Sequence, residues 1–198
     1  MFPANDLEKY FDQLNEKNYA LIPVNQVLVS KLQISAQDKY FKNKFKSAGI
    51  SQNALPQTSI RNDSTFWLDL KTENLTEAEN LTLFSLDQLS EYLKNYFRIS
   101  LTAIECHYAY YEPGNFYKRH RDSTQLNNQR IFSFVIYLNS SWNEHDGGEL
   151  LGYENDSESI LFKIKPEMGQ MIIFKSHIEH EVLTTHRSRM SLTGWVRK

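Results

Sequence analysis

The sequence predicts an α+β fold in which helices from the first half of the chain pack against a β core formed by the second half. Apolar residues recur at helical spacing before about residue 100, whereas later runs are short and rich in β-branched and aromatic residues. Turn signals separate these runs at EPGN (112–115), DGG (146–148) and KPE (165–167). Residues 101–198 have room for about eight strands at the spacing of a sandwich or barrel. Helices first and strands afterwards indicate helices outside a β core.

Three helices are predicted in the first half. From Asn5 to Asn18, apolar residues recur every three or four positions. A second helix is predicted from about Val24 to Ser47, with a break near Ser35. A third is predicted to follow Ser85, whose side chain would serve as the N-cap. The polar segment Ile50 to Thr65 is predicted to be a long loop.

Length and composition indicate one globular domain. The chain has 198 residues, of which 40% are hydrophobic and 23% charged, as is ordinary for a soluble protein. We expect residues 1–198 to form a single domain, with 1–100 mainly helical support and 101–198 the β core. The aromatic share of 13% suits a thick β core or a ligand-lined cavity.

Charge and cysteine content narrow the expected partners and location. The net charge of −2 provides no long-range attraction to nucleic acid, and the basic cluster Lys118, Arg119 and Arg121 is interpreted as a solvated edge or loop. No stretch approaches the roughly 20 apolar residues of a membrane helix. The single cysteine, Cys106, excludes an intrachain disulfide and agrees with a reducing compartment. We therefore expect a cytoplasmic protein with neither nucleic acid nor membrane as partner.

A metal site is indicated by the triplet His120-Arg121-Asp122. In a strand, side chains at i and i+2 point to the same face, so His120 and Asp122 can converge on one ion. A third ligand must come from elsewhere, and His180 follows a later apolar strand. Two histidines and a carboxylate form the facial arrangement of non-haem iron(II) oxygenases, but the same ligands can hold a catalytic zinc. His177 competes with His180, whereas His107 is interpreted as structural.

A co-substrate pocket is indicated by the last strand. Arg189, Ser191, Thr193 and Trp195 share one of its faces, and a guanidinium facing the core requires an anionic partner. A carboxylate matches the guanidinium fork, and Tyr137 in the strand from residue 131 to 138 could add a hydroxyl donor. An Arg189 paired with an internal acid, or one pointing outward, is an equal alternative. Arg187 is expected in the turn before the strand.

Several blocks of sequence resemble one enzyme family when taken in order. They are HYAYYEPGNFYKRHRD, RIFSFVIYLNSSW, DGGELLGY, HEVL and RMSLTGWVRK, all within residues 104–198. Together they resemble the iron(II) and 2-oxoglutarate prolyl hydroxylases, in particular the catalytic domain of the hypoxia-inducible-factor prolyl hydroxylases and its bacterial relatives. Upstream, SIRNDSTFWLD resembles the segment preceding that domain, with Asn62 where the family has glycine. The resemblance implies a double-stranded β-helix, a cupin-like jelly roll, with flanking helices.

The resemblance also implies roles for individual residues. It selects His180 over His177 as the third iron ligand beside His120 and Asp122. It implies that the C5 carboxylate of 2-oxoglutarate is bound by Arg189 and Tyr137, with Tyr111 also at the co-substrate. Thr193, on the same strand face as Arg189, is expected to bind the co-substrate too. Positions lining the peptide-substrate cleft are matched by Arg130 and Trp195.

The implied activity is hydroxylation of a prolyl residue in a protein or peptide, with iron(II), 2-oxoglutarate and O2 as cofactor and co-substrates and L-ascorbate as a further candidate. The implied products are succinate and CO2. Alternatives are a small-molecule hydroxylase, for instance of free proline, and a non-enzymatic cupin-like binding module. A nucleic-acid demethylase is disfavoured because RSRMSLTGW departs from the final-strand RxNxTxR pattern that such enzymes share. A zinc hydrolase is disfavoured because no HExxH signature is present.

Overall fold

The computed structural model describes residues 1–2, 6–49, 59–124, 128–155 and 157–198. Within these ranges it has three α-helices: α1 (Leu7–Lys17), α2 (Gln26–Phe41) and α3 (Glu77–Phe97). The strands within the same ranges are β1 (Tyr19–Pro23), β2 (Lys46–Ser47), β3 (Ser64–Leu68), β4 (Ala103–Tyr111), β5 (Tyr117–His120), β6 (Arg130–Tyr137), β7 (Leu150–Tyr153), β8 (Ile160–Ile164), β9 (Gln170–Lys175), β10 (His180–Val182) and β11 (Arg189–Arg197).

The strands form two antiparallel sheets that face each other. The major sheet has the order β1-β9-β6-β11-β4-β3-β2, and the minor sheet has the order β5-β10-β7-β8. One apolar cluster fills the space between the sheets, with Val135 from the major sheet and Leu150 and Phe162 from the minor sheet. A larger cluster lies between the helices and the other face of the major sheet. This arrangement is the predicted double-stranded β-helix with flanking helices.

The described residues of the second half form the eight strands β4 to β11, in agreement with the predicted number. The first half contributes more than helical support, because β1, β2 and β3 extend the major sheet. β1 pairs with β9, and β3 pairs with β4. Short strands of this kind are difficult to predict, because their pairing partners lie far away in sequence.

The first helix was predicted correctly, and the reason is visible in its burial. Leu7, Phe11 and Leu14 form its buried face, at the spacing of successive helical turns. Asn18 follows with a left-handed φ of 66°, a conformation that asparagine tolerates and that ends a helix.

The limits of the second helix differ from the prediction. α2 continues through Ser35, because the Ser35 hydroxyl donates to the carbonyl of Lys31 and its polar group is thereby satisfied inside the helix. The helix ends at Phe41 rather than Ser47. Asn43 then has a left-handed φ of 54°, and the residues that follow form β2.

The predicted N-cap of the third helix was also wrong. The cap is Thr76, whose hydroxyl accepts from the backbone N–H of Glu79 while the Glu79 carboxylate accepts from the N–H of Thr76. Ser85 lies inside α3 and donates to the carbonyl of Leu81. This capping box is a stronger start signal than a lone serine.

The predicted loop from Ile50 to Thr65 is only partly supported. Residues 50–58 lie outside the described part of the chain, whereas Ser64 and Thr65 already belong to β3. Pairing of β3 with β4 gives this polar segment its strand conformation.

No helix in the described ranges combines the length and apolar character that crossing a membrane would require.

Candidate active site

The predicted metal ligands meet between the two sheets. His120 is the last residue of β5, and His180 is the first residue of β10. The two strands are antiparallel neighbours in which His180 pairs with His120, so that their imidazoles lie side by side. Asp122 lies in a bend just after β5, not within a strand as predicted, but it still faces the two histidines.

The distances suit a single ion. Oδ1 of Asp122 lies 3.7 Å from Nε2 of His120, and Oδ2 of Asp122 lies 3.5 Å from Nε2 of His180. One ligand atom from each of the three residues lies within 4.8 Å of the others. Ligand atoms that each contact an ion at about 2.1 Å are roughly 3 Å apart when adjacent, so a small contraction would complete the site.

Both imidazoles are oriented by the backbone. Nδ1 of His120 lies 2.8 Å from the carbonyl oxygen of Lys118, and Nδ1 of His180 lies 2.9 Å from that of Ile178. Since a carbonyl oxygen only accepts, each Nδ1 carries the proton. Nε2 of each ring is then the atom left to bind a metal ion, and Nδ1 is the atom that the backbone holds in place.

The surroundings of Asp122 favour an ionised carboxylate. Burial opposes ionisation of Asp122, but interactions with His180 and His120 and a 2.7 Å hydrogen bond from Ser133 hold the pKa of the carboxyl below its ordinary value. Burial lowers the pKa of His180 to about 4, so its lone pair is available at neutral pH.

The competing histidine is placed elsewhere. His177, three residues before His180, is exposed and is not part of the cluster. His145 and His186 are also exposed. The geometry therefore favours His180 as the third ligand.

Arg189 begins β11 and points into the interior. Its side chain is buried, with the residue 2% exposed, and its Nε donates to the carbonyl of Gly148 at 2.9 Å. Among the described residues, no carboxylate lies within ion-pairing distance of its guanidinium. The alternatives of an internal acidic partner and of an outward-facing side chain are thus not observed.

The DGG turn explains how Arg189 is held. Gly147 and Gly148 have φ values of 64° and 70°, which favour glycine. A Cβ on Gly148 would approach Cδ of Arg189 to 3.1 Å. Absence of a side chain at Gly148 thus lets its carbonyl reach the arginine. Arg187 lies in the preceding bend as predicted, is exposed, and pairs with Asp146.

Two tyrosines flank the Arg189 guanidinium. Its central carbon lies 4.9 Å from the ring of Tyr111 and 5.3 Å from that of Tyr137. The Tyr137 hydroxyl is buried and has no hydrogen-bond partner among the described residues. Burial raises the pKa of Tyr137 to about 12, so the group remains a donor at neutral pH. A buried cation and an unused donor together form a receptor for a carboxylate.

One cavity joins the metal cluster to Arg189. Its walls include all three metal-ligand candidates and Arg189. Thr193 lines it as well, but its hydroxyl donates to the carbonyl of Phe134 at 3.2 Å. The donor set therefore suits an ion chelated by one end of a dicarboxylate whose other end reaches Arg189.

The two predicted substrate-cleft residues contact each other close to Asp122. The Arg130 guanidinium stacks 3.5 Å above the ring of Trp195 and lies 3.9 Å from Oδ1 of Asp122. Trp195 lines the cavity and is 9% exposed. The structure thus brings these two residues together beside the metal cluster.

Sequence reasoning missed several residues that surround the ligands. Ser133 is the first of these, although its place as a polar residue on the inward face of β6 was a usable signal. Tyr117 stacks on the ring of His120 at 3.7 Å. Arg61 forms a two-point ion pair with Asp63 at 2.8 and 2.6 Å and covers the Tyr117 ring. The sequence around Arg61 is polar and predicts a loop, so it gives no signal for these contacts.

Asn62 occupies the position where the family has glycine, yet the turn is well supported. Its φ is not positive, so no glycine-like backbone is needed. Its side-chain oxygen accepts from the N–H of Phe116 at 2.8 Å, and its carbonyl accepts from Asn115.

Comparison with known proteins agrees with this geometry. Residues 106–197 match the family model of the 2OG-Fe(II) oxygenase superfamily. A prolyl-4-hydroxylase from Pseudomonas putida is 32% identical, with a TM-score of 0.87 over 97% of this chain and 99% of that chain. A prolyl hydroxylase from Trichoplax adhaerens, solved with a hypoxia-inducible-factor peptide fragment, is 22% identical with a TM-score of 0.81 over 98% and 93%.

A viral collagen prolyl hydroxylase from Paramecium Bursaria Chlorella virus-1, solved with 2-oxoglutarate, is 17% identical with a TM-score of 0.62 over 92% of this chain and 97% of that one. At this identity, as for the Trichoplax protein, the likeness concerns the fold. The identity and coverage of the Pseudomonas putida protein, together with the family match, show that this chain belongs to the 2OG-Fe(II) oxygenase superfamily.

Proposed function

We propose that this protein is an Fe(II)- and 2-oxoglutarate-dependent dioxygenase that hydroxylates a prolyl residue of a protein substrate and releases succinate and CO2. The single observation that carries the proposal is the buried Arg189 guanidinium without an acidic partner among the described residues, in the same cavity as His120, Asp122 and His180. A buried charge without a counter-ion is costly, so the cavity is suited to an anion.

In this proposal His120, Asp122 and His180 hold the iron. Three protein ligands on one side leave positions open for small molecules, as the facial triad does. When bound, iron, 2-oxoglutarate and O2 supply the oxidising chemistry that converts a C–H bond into C–OH, while 2-oxoglutarate becomes succinate and CO2. The Ser133 hydrogen bond and the two backbone carbonyls fix the orientation of the ligands.

Arg189 and Tyr137 are proposed to bind the distal carboxylate of 2-oxoglutarate. The guanidinium can donate twice in one plane, and the free hydroxyl of Tyr137 can add a third hydrogen bond. Tyr111 closes the opposite side of the guanidinium. Thr193 is proposed to line the cavity wall rather than to donate to the carboxylate, because its proton is already engaged with a backbone carbonyl.

The substrate is proposed to enter beside Arg130 and Trp195. The stacked pair forms an aromatic wall next to Asp122, where a compact apolar ring such as that of proline can pack. The Pseudomonas putida relative is a prolyl-4-hydroxylase, and the Trichoplax protein of the same fold was solved with a peptide. Peptides are therefore the first substrates to test.

Three further statements belong to the proposal. L-ascorbate would serve as an accessory reductant that keeps the iron in the Fe(II) state. Residues 1–198 would act as one catalytic unit, since the helices pack on the sheet that carries Arg189. A cytoplasmic location is proposed because the single cysteine, Cys106, is buried and free.

The test begins with iron and co-substrate alone. Anaerobic addition of Fe(II) and 2-oxoglutarate is expected to produce a weak visible charge-transfer band in the wild type. The band should be lost in His180→Ala and retained in His177→Ala, the matched control. A wild type without the band would contradict the proposed chemistry.

The substrate is then sought in host lysate supplied with Fe(II), 2-oxoglutarate and O2. Mass spectrometry is expected to find a proline that gains one oxygen atom with the wild type and not with His180→Ala. Turnover of free L-proline without any oxidised prolyl peptide would replace the protein substrate by a small molecule. Absence of any 2-oxoglutarate turnover would leave a non-enzymatic binding module.

A further inference from the structure

His107 is a buried polar side chain that the proposed chemistry does not use. It lies in the middle of β4, where it pairs with Trp67 on β3 and with Thr193 on β11. The residue is 2% exposed, and its side chain forms part of the wall of the cavity that contains the metal cluster. A histidine interpreted as structural from the sequence is therefore part of the candidate active site.

One ring nitrogen of His107 lacks a hydrogen-bond partner among the described residues. Its Nδ1 is buried and unpaired among the described residues. Burial, and secondarily the charges of Arg61 and Arg130, lower its pKa to about 3, so the ring is neutral at physiological pH. A neutral imidazole carries one N–H donor and one acceptor. Since buried polar groups are nearly always hydrogen-bonded, a partner is missing.

Aromatic rings hold His107 in place. Its ring centroid lies 4.7 Å from that of Trp67 and 5.4 Å from that of Trp195, and the two indoles are 6.1 Å apart. Trp67 remains 51% exposed, so this cluster of three rings extends to the protein surface. Packing against two indoles fixes the ring, but it leaves Nδ1 without a hydrogen bond among the described residues.

The position of His107 along the cavity indicates which ligand it meets. Arg189 pairs with Tyr111, and Thr193 pairs with His107, so the two cavity-wall pairs are four residues apart on β11. Four residues of strand span about 13 Å. A five-carbon dicarboxylate anchored at Arg189 is only about 5 Å long between its carboxyl carbons, which leaves the His107 end to the substrate.

We propose that His107 is a positioning residue for the substrate, donating a hydrogen bond to a peptide carbonyl that flanks the target proline. The inference rests on the proposed function and adds the polar contact that the aromatic wall lacks. Proline has no backbone N–H, so the amide that precedes it offers only its carbonyl oxygen. A donor on the enzyme is therefore the complementary group, and a neutral imidazole N–H supplies one.

Two substitutions separate this role from packing. His107→Phe keeps an aromatic ring between Trp67 and Trp195 but removes both nitrogens. His107→Asn loses the ring but keeps an amide N–H close to the position of Nδ1. Tyr137→Phe is the matched comparison. It removes a second buried polar group without a hydrogen-bond partner among the described residues, and this group lies at the co-substrate end of the candidate site.

The probe is a synthetic peptide centred on the proline that the wild type oxidises in lysate. Its dissociation constant is measured by calorimetry with the metal-free protein, and its KM is measured by turnover. His107→Phe is expected to weaken peptide binding about 3- to 10-fold, the effect of one neutral hydrogen bond, with the KM for 2-oxoglutarate unchanged. His107→Asn should restore most of the affinity, and Tyr137→Phe should alter only the 2-oxoglutarate KM.

The outcomes distinguish this inference from the proposed function. If the wild type oxidises no prolyl peptide, the proposed function and this inference fall together. If the wild type does so and His107→Phe binds the peptide equally well, only the role of His107 is overturned. A His107→Phe protein that loses affinity for peptide and 2-oxoglutarate alike, with a lowered melting temperature, would also overturn it, because the residue would then act through the fold.

Discussion

Ser133 donates a 2.7 Å hydrogen bond to Oδ2 of Asp122 and is itself 2.9 Å from the hydroxyl of Ser176. The contact joins β6 of the major sheet to the bend after β5, so the carboxylate is oriented by the opposite sheet. It also helps to lower the pKa of Asp122, which keeps the carboxylate ionised as a ligand.

Removing this hydrogen bond should weaken iron binding. Ser133→Ala is expected to reduce iron affinity roughly 10- to 100-fold, the usual effect of losing a group that orients a metal ligand. Equilibrium binding of Fe(II) under anaerobic conditions provides the measurement. Ser85→Ala, which also removes a buried hydroxyl but far from the cluster on α3, should leave iron affinity unchanged. Equal affinities for both variants would exclude an orienting role for Ser133.

Variants at His180 and at His177 test which of these two histidines is the third metal ligand. His180→Ala should abolish turnover and stoichiometric iron binding, since only His120 and Asp122 would remain. His177→Ala should retain both, because that side chain is exposed and outside the cluster. Iron content per protein molecule and succinate release are the readouts. Full activity in His180→Ala would move the metal site elsewhere.

Arg189 should control co-substrate affinity. In Arg189→Ala a bound carboxylate would remain buried without its cation, which typically costs roughly 2–5 kcal/mol, or on the order of 30- to several-thousand-fold in affinity for 2-oxoglutarate. The dissociation constant is measured anaerobically with iron present. Arg187→Ala loses exposed contacts with Asp146, the carbonyl of Ser141 and the ring of Trp142, none of them at the candidate site, and should bind 2-oxoglutarate as the wild type does. An unchanged affinity in Arg189→Ala would remove this residue from the pocket.

Glu79 should be important for stability rather than catalysis. Its carboxylate is fully buried, 2.7 Å from Nζ of Lys39 and 3.1 Å from the hydroxyl of Tyr108, and it also closes the capping box of α3. Glu79→Ala is expected to lower the free energy of unfolding by roughly 3–5 kcal/mol, because Lys39 would be left buried without its partner.

The control for Glu79 is an exposed acid on the same helix. Glu91→Ala removes a surface pair with Lys94 and should cost no more than about 1 kcal/mol. Urea unfolding of both variants tests the difference. Similar losses in the two would mean that the buried network does not stabilise the packing of α2 and α3 on β4.

The sequence was sufficient wherever the signal is local. Leu7, Phe11 and Leu14 predicted α1 because helical periodicity depends only on neighbours along the chain. Alternation of residue types likewise placed Arg189, Ser191, Thr193 and Trp195 on one face of the last strand, and this face lines the cavity. The resemblance of several motifs in order added the fold, the family and the choice of His180.

Tertiary structure decided what depends on residues far apart in the chain. β1 and β3 exist because distant strands pair with them, and the hydrogen bond from Ser133 to Asp122 crosses between sheets. Whether Arg189 already had an acidic partner, and whether His107 was satisfied, could be judged only once the surrounding side chains were in place. The physical reason is that periodicity reports which face is buried, whereas hydrogen-bond satisfaction depends on every group that packs against that face.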